Sequence, residues 1–140
     1  MSFWDSSAII PLCISEPSSP EIKLLAQRSE GMVVWWGAIV EVQSAIERKC
    51  RMGELSMDGK ANAEVRLSHL AFVWFDIPPL EAVRLRARRL LVKHPLRAAD
   101  ALQLSAALEW AEDSPAGRQF ICLDSRLRAA ANLEGFQVLP

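Results

Sequence analysis

The chain has 140 residues, which is the length of one domain with a hydrophobic core of its own. Its 17 acidic and 16 basic residues leave a formal net charge of −1, which excludes a broadly basic nucleic-acid coat protein and an acidic disordered tail. Hydrophobic residues make up 51% of the chain and charged residues 24%, as in an ordinary globular protein.

The sequence predicts a cytoplasmic protein without membrane spans or disulfide bonds. The longest uncharged runs, Ser6–Ser15 and Gly31–Val40, are about ten residues long, roughly half of what a membrane span needs. No basic residue precedes Asp5, although a secretion signal begins with a basic stretch. The 3 cysteines lie far apart without a CxxC pair, so we expect reduced thiols.

Short apolar segments alternate with helical patterns along the whole chain. In chain order, they are a strand at Ser2–Trp4, helices at Ser7–Ile14 and Pro20–Arg28, a strand at Met32–Trp36, helices at Ala38–Arg51 and Ser56–Ala71, a strand at Val73–Ile77, helices at Pro79–Val92 and Leu96–Glu112, a strand at Gln119–Leu123, a helix at Ser125–Leu133 and a strand at Gln137–Leu139. This order predicts βαβ units in an α/β fold with a mainly parallel sheet. No repeat or linker interrupts it, so we interpret residues 1–140 as one domain.

Two aspartates directly follow predicted strands. Asp5 and Asp124 each stand between the end of a strand and the start of a helix. Aspartate at this position is often a helix N-cap. The same position lies at the carboxyl edge of a parallel sheet, where ligands bind. Both interpretations remain open from the sequence.

Two further acids, Glu41 and Asp100, lie on predicted helices. Glu41 is the only charged residue within residues 32–46, so it lies either on an exposed helix edge or buried beside a cation. Asp100 lies among alanines that would let a metal and a substrate approach closely; alternatively, it forms a solvated stripe with Arg97 and Gln103. Clustered carboxylates raise one another's pKa unless cations bind. Without a histidine partner, their oxygens suit Mg²⁺ or Mn²⁺ rather than zinc.

The four segments that carry these acids resemble those of PIN domains, most closely the VapC-type toxins of toxin–antitoxin pairs. They are Phe3–Ala8, Val40–Ile46, Leu96–Leu104 and Phe120–Leu127, in the family's order. The resemblance implies a PIN-like three-layer α/β/α sandwich, a Mg²⁺- or Mn²⁺-dependent endoribonuclease, a small antitoxin partner and a homodimer. It implies that the antitoxin contacts the apolar stretches Ile9–Ile14 and Ile22–Leu25, whose pattern equally fits ordinary core.

The resemblance also assigns roles to individual residues. Asp5, Glu41 and Asp100 match the three core acids that bind metal and act in catalysis. Asp124 matches a fourth, more variable acid, and Ser6 matches a hydroxyl residue that helps to hold the site. A metal-activated water would then cleave RNA and leave a 5′-phosphate and a 3′-hydroxyl.

Basic residues concentrate in one part of the chain. Residues 83–99 contain six bases and no acid, which indicates either a solvated helix face or an edge that contacts RNA phosphates. Arg97 is the strongest candidate for RNA binding because it lies one helical turn from Asp100. Arg89 in the same run is a further candidate, as is Arg126 near a predicted helix N-terminus.

Other functions remain alternatives. One is a PIN-domain nuclease outside a toxin–antitoxin pair, and another is a non-catalytic PIN module that binds RNA or protein. Non-catalytic modules tend to lose core acids, which this chain keeps. A receiver-like phospho-acceptor is disfavoured because Asp5 stands alone and no lysine follows Asp124. We interpret His69 and His94 as structural or surface residues.

Overall fold

The computed structural model describes residues 1–140, and its elements follow the order predicted from the sequence. The strands are β1 (Ser2–Trp4), β2 (Met32–Trp35), β3 (Phe75–Ile77), β4 (Gln119–Ile121) and β5 (Gln137–Leu139). The helices are α1 (Ser6–Cys13), α2 (Ser19–Arg28), α3 (Ala38–Arg51), α4 (Met57–Val73), α5 (Glu81–Lys93), α6 (Ala98–Trp110) and α7 (Ser125–Glu134). None of the helices has both the length and the apolar character that crossing a membrane demands.

Some element boundaries differ from the prediction. Helix α5 begins at Glu81 rather than Pro79, because Leu80 has extended backbone angles and occupies the N-cap position. Helix α6 also begins two residues later than predicted, at Ala98. Helix α4 continues to Val73, where a strand was predicted. The short apolar run at that point fits a helix and a strand equally well, so periodicity alone does not fix the boundary.

All five strands are parallel, in the order β3-β2-β1-β4-β5. Strand β1 is central, and its Phe3 is in register with Val33 on one side and Phe120 on the other. The chain builds the sheet outward from β1 to β3 and then returns to add β4 and β5. The order therefore reverses between β1 and β4, which is where ligands bind in such sheets.

Helices cover both faces of the sheet. Adjacent residues of β1 point to opposite faces, so Phe3 joins one core cluster with Leu104, while Trp4 joins another with Ile9 and Ile46. Helices α5, α6 and α7 pack on the first cluster, and α1, α2, α3 and α4 on the second. The α/β fold class and the three-layer α/β/α sandwich predicted from the sequence are confirmed.

The two apolar stretches implied to contact an antitoxin lie mainly in the core. Ile9 and Ile22 are fully buried, and Ile14 is 7% exposed. Leu25 is partly buried and packs on the same cluster, whereas Leu24 is exposed. These residues hold α1 and α2 onto the sheet, which is the core alternative that the sequence left open.

Candidate active site

Asp5 lies at the end of β1 and begins α1. Its backbone N–H donates to the carbonyl of Ile121 on β4 at 3.0 Å, which fixes it at the switch point of the sheet. Its Oδ2 accepts hydrogen bonds from the backbone N–H of Ser7 at 3.0 Å and from the Ser7 hydroxyl. The Cys122 thiol lies 3.6 Å from the same oxygen. Asp5 is therefore both a helix N-cap and part of the candidate site.

Burial makes the charged form of the Asp5 side chain energetically unfavourable. The residue is 4% exposed, and this burial raises the pKa of its carboxyl from 3.8 to about 6. The two hydrogen bonds from Ser7 lower the pKa, while the charges of Glu41 and Asp100 add to the increase. Burial also raises the pKa of Cys122 far above its usual value, so the thiol stays protonated and can donate to Asp5.

Glu41 lies in the first turn of α3 and is half-buried. Its Oε2 accepts hydrogen bonds from the Ser6 hydroxyl at 2.7 Å and from the amide of Gln103 at 3.2 Å. The same Gln103 nitrogen donates to Ser6 at 2.7 Å, so the three side chains form a closed group. Burial raises the pKa of Glu41, the two hydrogen bonds lower it, and the charge of Asp100 raises it further.

The turn before α3 requires a glycine. A Cβ atom on Gly37 would lie 2.6 Å from Nε1 of Trp35, whose indole is itself buried. The absence of a side chain lets β2 turn directly into α3. This turn brings Glu41 to the carboxyl edge of the sheet.

Asp100 and Asp124 complete the group of acids. Asp100 lies half-buried in the first turn of α6. Burial and then the charge of Asp124 raise the pKa of Asp100, while a backbone hydrogen bond and the charges of Arg97 and Arg126 lower it. Asp124 is exposed and caps α7 by accepting a hydrogen bond from the Leu127 backbone N–H at 2.9 Å.

The structure thus brings all four predicted acids to one edge of the sheet. Asp5 interacts electrostatically with Glu41 and Asp100, and Asp100 interacts with Asp124. They come from four separate parts of the chain. Like charges held together in this way favour a bound cation, because a cation removes their repulsion.

The donor atoms fit a hard divalent cation. No group of three or more His, Cys, Asp or Glu side chains is arranged so that it could hold a metal ion. Asp5 accepts its side-chain hydrogen bonds from nitrogen and oxygen donors through Oδ2 only, and Glu41 accepts its own through Oε2 only. The second carboxylate oxygen of each residue therefore remains available. Mg²⁺ is usually held by one or two carboxylates and keeps several waters. One or two of these acids, with waters, could hold Mg²⁺ or Mn²⁺.

Two of the three predicted RNA-binding arginines lie beside the acids. Arg97 and Arg126 line a cavity of about 380 Å³ together with Asp100 and Asp124. Neither arginine forms a salt bridge. Their guanidinium groups are therefore free to bind an anion next to the carboxylates.

The third arginine, Arg89, lies elsewhere, and the basic run is not continuous. Arg89 lines a different cavity that contains none of the four acids. Three bases of the run are neutralised by acids outside it: Arg84 by Glu81, Arg86 by Glu109 and Asp113, and Lys93 by Glu134. The positive charge of this run is therefore partly offset, by Glu81 of the same helix and by acids that helix packing brings beside it.

Two residues of the site were not among the predicted site residues. Ser7 orients Asp5, and its hydroxyl also accepts a hydrogen bond from the Leu123 backbone N–H at 2.9 Å. Gln103 is fully buried, so it does not belong to a solvated stripe. Its position three residues after Asp100, on the same helix face, is the signal that could have identified it.

Three solved structures share this architecture. A chain of a toxin–antitoxin complex from Klebsiella pneumoniae is 15% identical, with a TM-score of 0.65 over 92% of this chain and 91% of that one. FitAcB from Neisseria gonorrhoeae is 14% identical, with a TM-score of 0.66 over 100% and 97%. PAE2754 from Pyrobaculum aerophilum is 18% identical, with a TM-score of 0.65 over 98% and 87%.

The chain shares their fold. The likeness to FitAcB extends over the whole of this chain, so it includes the strands and helices that carry the four acids. No protein-family model matches the sequence, and no curated protein matches it either. The PIN-like sandwich predicted from the sequence is the fold of the molecule.

Proposed function

We propose that this protein is a Mg²⁺- or Mn²⁺-dependent endoribonuclease and the toxin of a toxin–antitoxin pair. The observation that carries the proposal is the group of four acids at the switch point of the sheet, with raised pKa values at Asp5, Glu41 and Asp100. The toxin part is supported by the fold shared with a chain of the Klebsiella pneumoniae toxin–antitoxin complex. An antitoxin would act by covering this site.

The chain's own residues would position the reacting groups. One or two of Asp5, Glu41 and Asp100 would bind the cation directly, together with waters, with Asp124 beside them. Ser6 and Gln103 fix the carboxylate of Glu41, and Ser7 fixes that of Asp5. A bound Mg²⁺ or Mn²⁺ supplies the charge that activates a water for in-line attack on phosphorus and stabilises the departing 3′ oxygen.

Arginines would hold the RNA against these acids. The guanidinium group matches two phosphate oxygens at once and keeps its charge at any physiological pH. Arg97 and Arg126 line the same cavity as Asp100 and Asp124, so a phosphate bound there would lie next to the carboxylates. No protein nucleophile is needed, since a water attacks phosphorus.

Substitution of the acids tests the nuclease. Asp100→Asn should lower the rate of single-stranded RNA cleavage by about 100-fold or more, because it removes a charge from the metal site. EDTA should abolish cleavage by the wild type, and added Mg²⁺ should restore it. The matched control is Asp58→Asn, an exposed change in the first turn of α4.

Two results would contradict the proposal. One is cleavage at the wild-type rate by a folded Asp5→Asn/Asp100→Asn double variant, and the other is full activity of the wild type in excess EDTA.

The same variants test whether the protein is a toxin, because only an active nuclease should arrest the growth of an expressing host. An active nuclease that leaves growth unaffected would instead support a role outside a toxin–antitoxin pair.

A further inference from the structure

A second cavity adjoins the acids on the other side of Asp124. It lies between α1 and α3 and has a volume of about 420 Å³. Asp124 lines both this cavity and the one that holds Arg97 and Arg126. Ser7, which orients Asp5, lies in its wall as well. The two cavities and the acids thus form one continuous surface.

Helix α3 connects the acids to this second cavity. Glu41, Ala45 and Arg48 are spaced by four and three residues, so they lie on one face of the helix. Arg48 therefore follows Glu41 by about two turns, or roughly 10 Å along the helix axis. Ala45 and Arg48 both line the cavity.

The charges in the cavity leave one cation available. Lys49 is held at its wall by Glu16, at 3.1 Å, and by Glu54, at 3.5 Å. Arg48 is exposed, lines the same cavity and forms no salt bridge. Lys49 is paired with two glutamates and Asp124 is a third acid of the lining, so Arg48 is the one cation of this cavity that is free to bind an anion.

The remaining wall is suited to a flat apolar group. Ile10, Ala45 and Leu123 contribute apolar surface to the cavity. A nucleotide combines such a group, its base, with a charged phosphate. The lining carries three acids and two bases. Its apolar side chains suit a base, and the free guanidinium of Arg48 suits a phosphate.

We propose that this cavity binds a second nucleotide of the RNA strand, with Arg48 on its phosphate and its base against Ile10 and Leu123. This inference rests on the proposed nuclease function and extends it. The strand would cross the acids between Arg97 and Arg126 on one side and Arg48 on the other. Cations on both sides fix which phosphodiester bond lies at the carboxylates, so Arg48 is a positioning residue for cleavage.

RNA binding tests the role of Arg48 without cleavage. With Asp100→Asn as the non-cleaving background, the affinity for a fluorescent single-stranded RNA is measured by anisotropy over a range of salt concentrations. Arg48→Ala should weaken binding about tenfold and reduce the salt slope by about 0.7, the value for one lost phosphate contact on a single strand. Arg48→Lys should keep most of the slope because it keeps the charge.

The matched control is Arg28→Ala. Arg28 is also exposed and free of salt bridges, but it lies in the last turn of α2, where the chain approaches the amino end of β2. It is therefore at the opposite edge of the sheet and should leave both affinity and slope unchanged. Equal effects of Arg28→Ala and Arg48→Ala would overturn the proposal, since they would reflect net charge alone.

Cleavage of substrates of different length provides a second measurement. In the protein with intact acids, Arg48→Ala should lower kcat/KM about tenfold for a long RNA, but not for a trinucleotide too short to occupy both cavities. If the wild type cleaves RNA and the Arg48→Ala variant binds and cleaves RNA equally well, only the proposed binding of a second nucleotide in this cavity is contradicted. A wild type that does not bind RNA would contradict the nuclease proposal as well. Loss of antitoxin binding with unchanged RNA binding would assign the cavity to a protein partner and overturn the inference.

Discussion

Asp5 uses its two carboxylate oxygens for different purposes. Oδ2 accepts the hydrogen bonds that cap α1, from the backbone and hydroxyl of Ser7. Oδ1 remains available for a cation. Because the cap fixes the side-chain conformation, the same bonds that start the helix also set the geometry of the site. Asparagine caps helices equally well, so Asp5→Asn removes the charge and leaves the helix start intact.

The raised pKa of Asp5 predicts that the metal-free protein loses stability as the pH rises. Its pKa is about 6 in the folded protein and 3.8 without burial, so the folded state holds this proton more tightly. The resulting stabilisation is complete below about pH 4 and is lost as the pH rises through about 6, to a total of roughly 3 kcal/mol. Metal-free Asp5→Asn should therefore unfold at higher urea concentration than the wild type at pH 7, but not at pH 4.

A matched control for this measurement is Glu30→Gln. Glu30 is exposed and forms no salt bridge. This variant should follow the wild type at both pH values. The interpretation fails if Asp5→Asn and wild type show the same change in unfolding free energy between pH 4 and pH 7.

Residue types and spacing predict the acids but not the groups that hold them. Asp5 and Asp124 follow strands, and that position alone marks them as candidates. Gln103 is different, because a glutamine beside Asp100 is equally compatible with a solvated stripe. Its burial depends on how α6 packs against the sheet and against Ser6 from α1, which local sequence does not contain.

At the scale of elements, a polar contact joins α5 to α7 on the face away from α1. His94 ends α5, and its Nε2 lies 2.6 Å from Oε1 of Glu134 near the end of α7. Lys93 reaches the same oxygen at 2.8 Å. His94 is only 6% exposed, so its partner is needed to satisfy a buried polar ring.

Loss of this contact should reduce stability without affecting the site. His94→Ala should lower the free energy of unfolding by about 1–3 kcal/mol, because it removes a buried hydrogen bond and leaves a gap. A thermal melt should show a drop of several degrees in Tm, while RNA cleavage below Tm should be unchanged. His69→Ala, an exposed change on α4, is the control. Equal Tm values for the two variants would contradict this structural role.

Elements were more predictable than the contacts between them. The apolar runs and the caps at Asp5 and Asp124 are local signals, and each observed helix overlaps its predicted range, although α4, α5 and α6 differ from it at one or both ends. The net charge around the basic run of residues 83–99 could not be predicted from local signals. Its neutralising acids include Glu109 and Glu134, which are distant in sequence and meet it only after α6 and α7 pack beside α5.

At the scale of the whole molecule, a net charge of −1 conceals an uneven distribution. Outside the four acids of the site, the chain carries 13 acids and 16 bases. The excess of positive charge over the rest of the molecule favours contact with a polyanion such as RNA. At the site, Arg97 and Arg126 offset part of the negative charge, and bound cations would offset more of it.

Cation binding should therefore stabilise the entire fold. Mg²⁺ at about 100 times its dissociation constant would add about 2.7 kcal/mol to the free energy of unfolding. The Tm of the wild type should rise with Mg²⁺ and fall again on chelation, whereas that of the Asp5→Asn/Asp100→Asn double variant should not change. An equal rise in both proteins would mean that Mg²⁺ binds outside the site.

The central place of β1 also determines when the site can form during synthesis. Strand β1 is made first, but its neighbour β4 begins only at Gln119. Until then one edge of β1 has unpaired backbone groups, Asp5 lacks its bond to Ile121, and Asp124 has not been added. If the chain is the nuclease proposed above, it cannot cut RNA until β4 has paired with β1 and Asp124 has been added. An enzyme that destroys RNA would thus stay harmless while it is itself being translated from RNA.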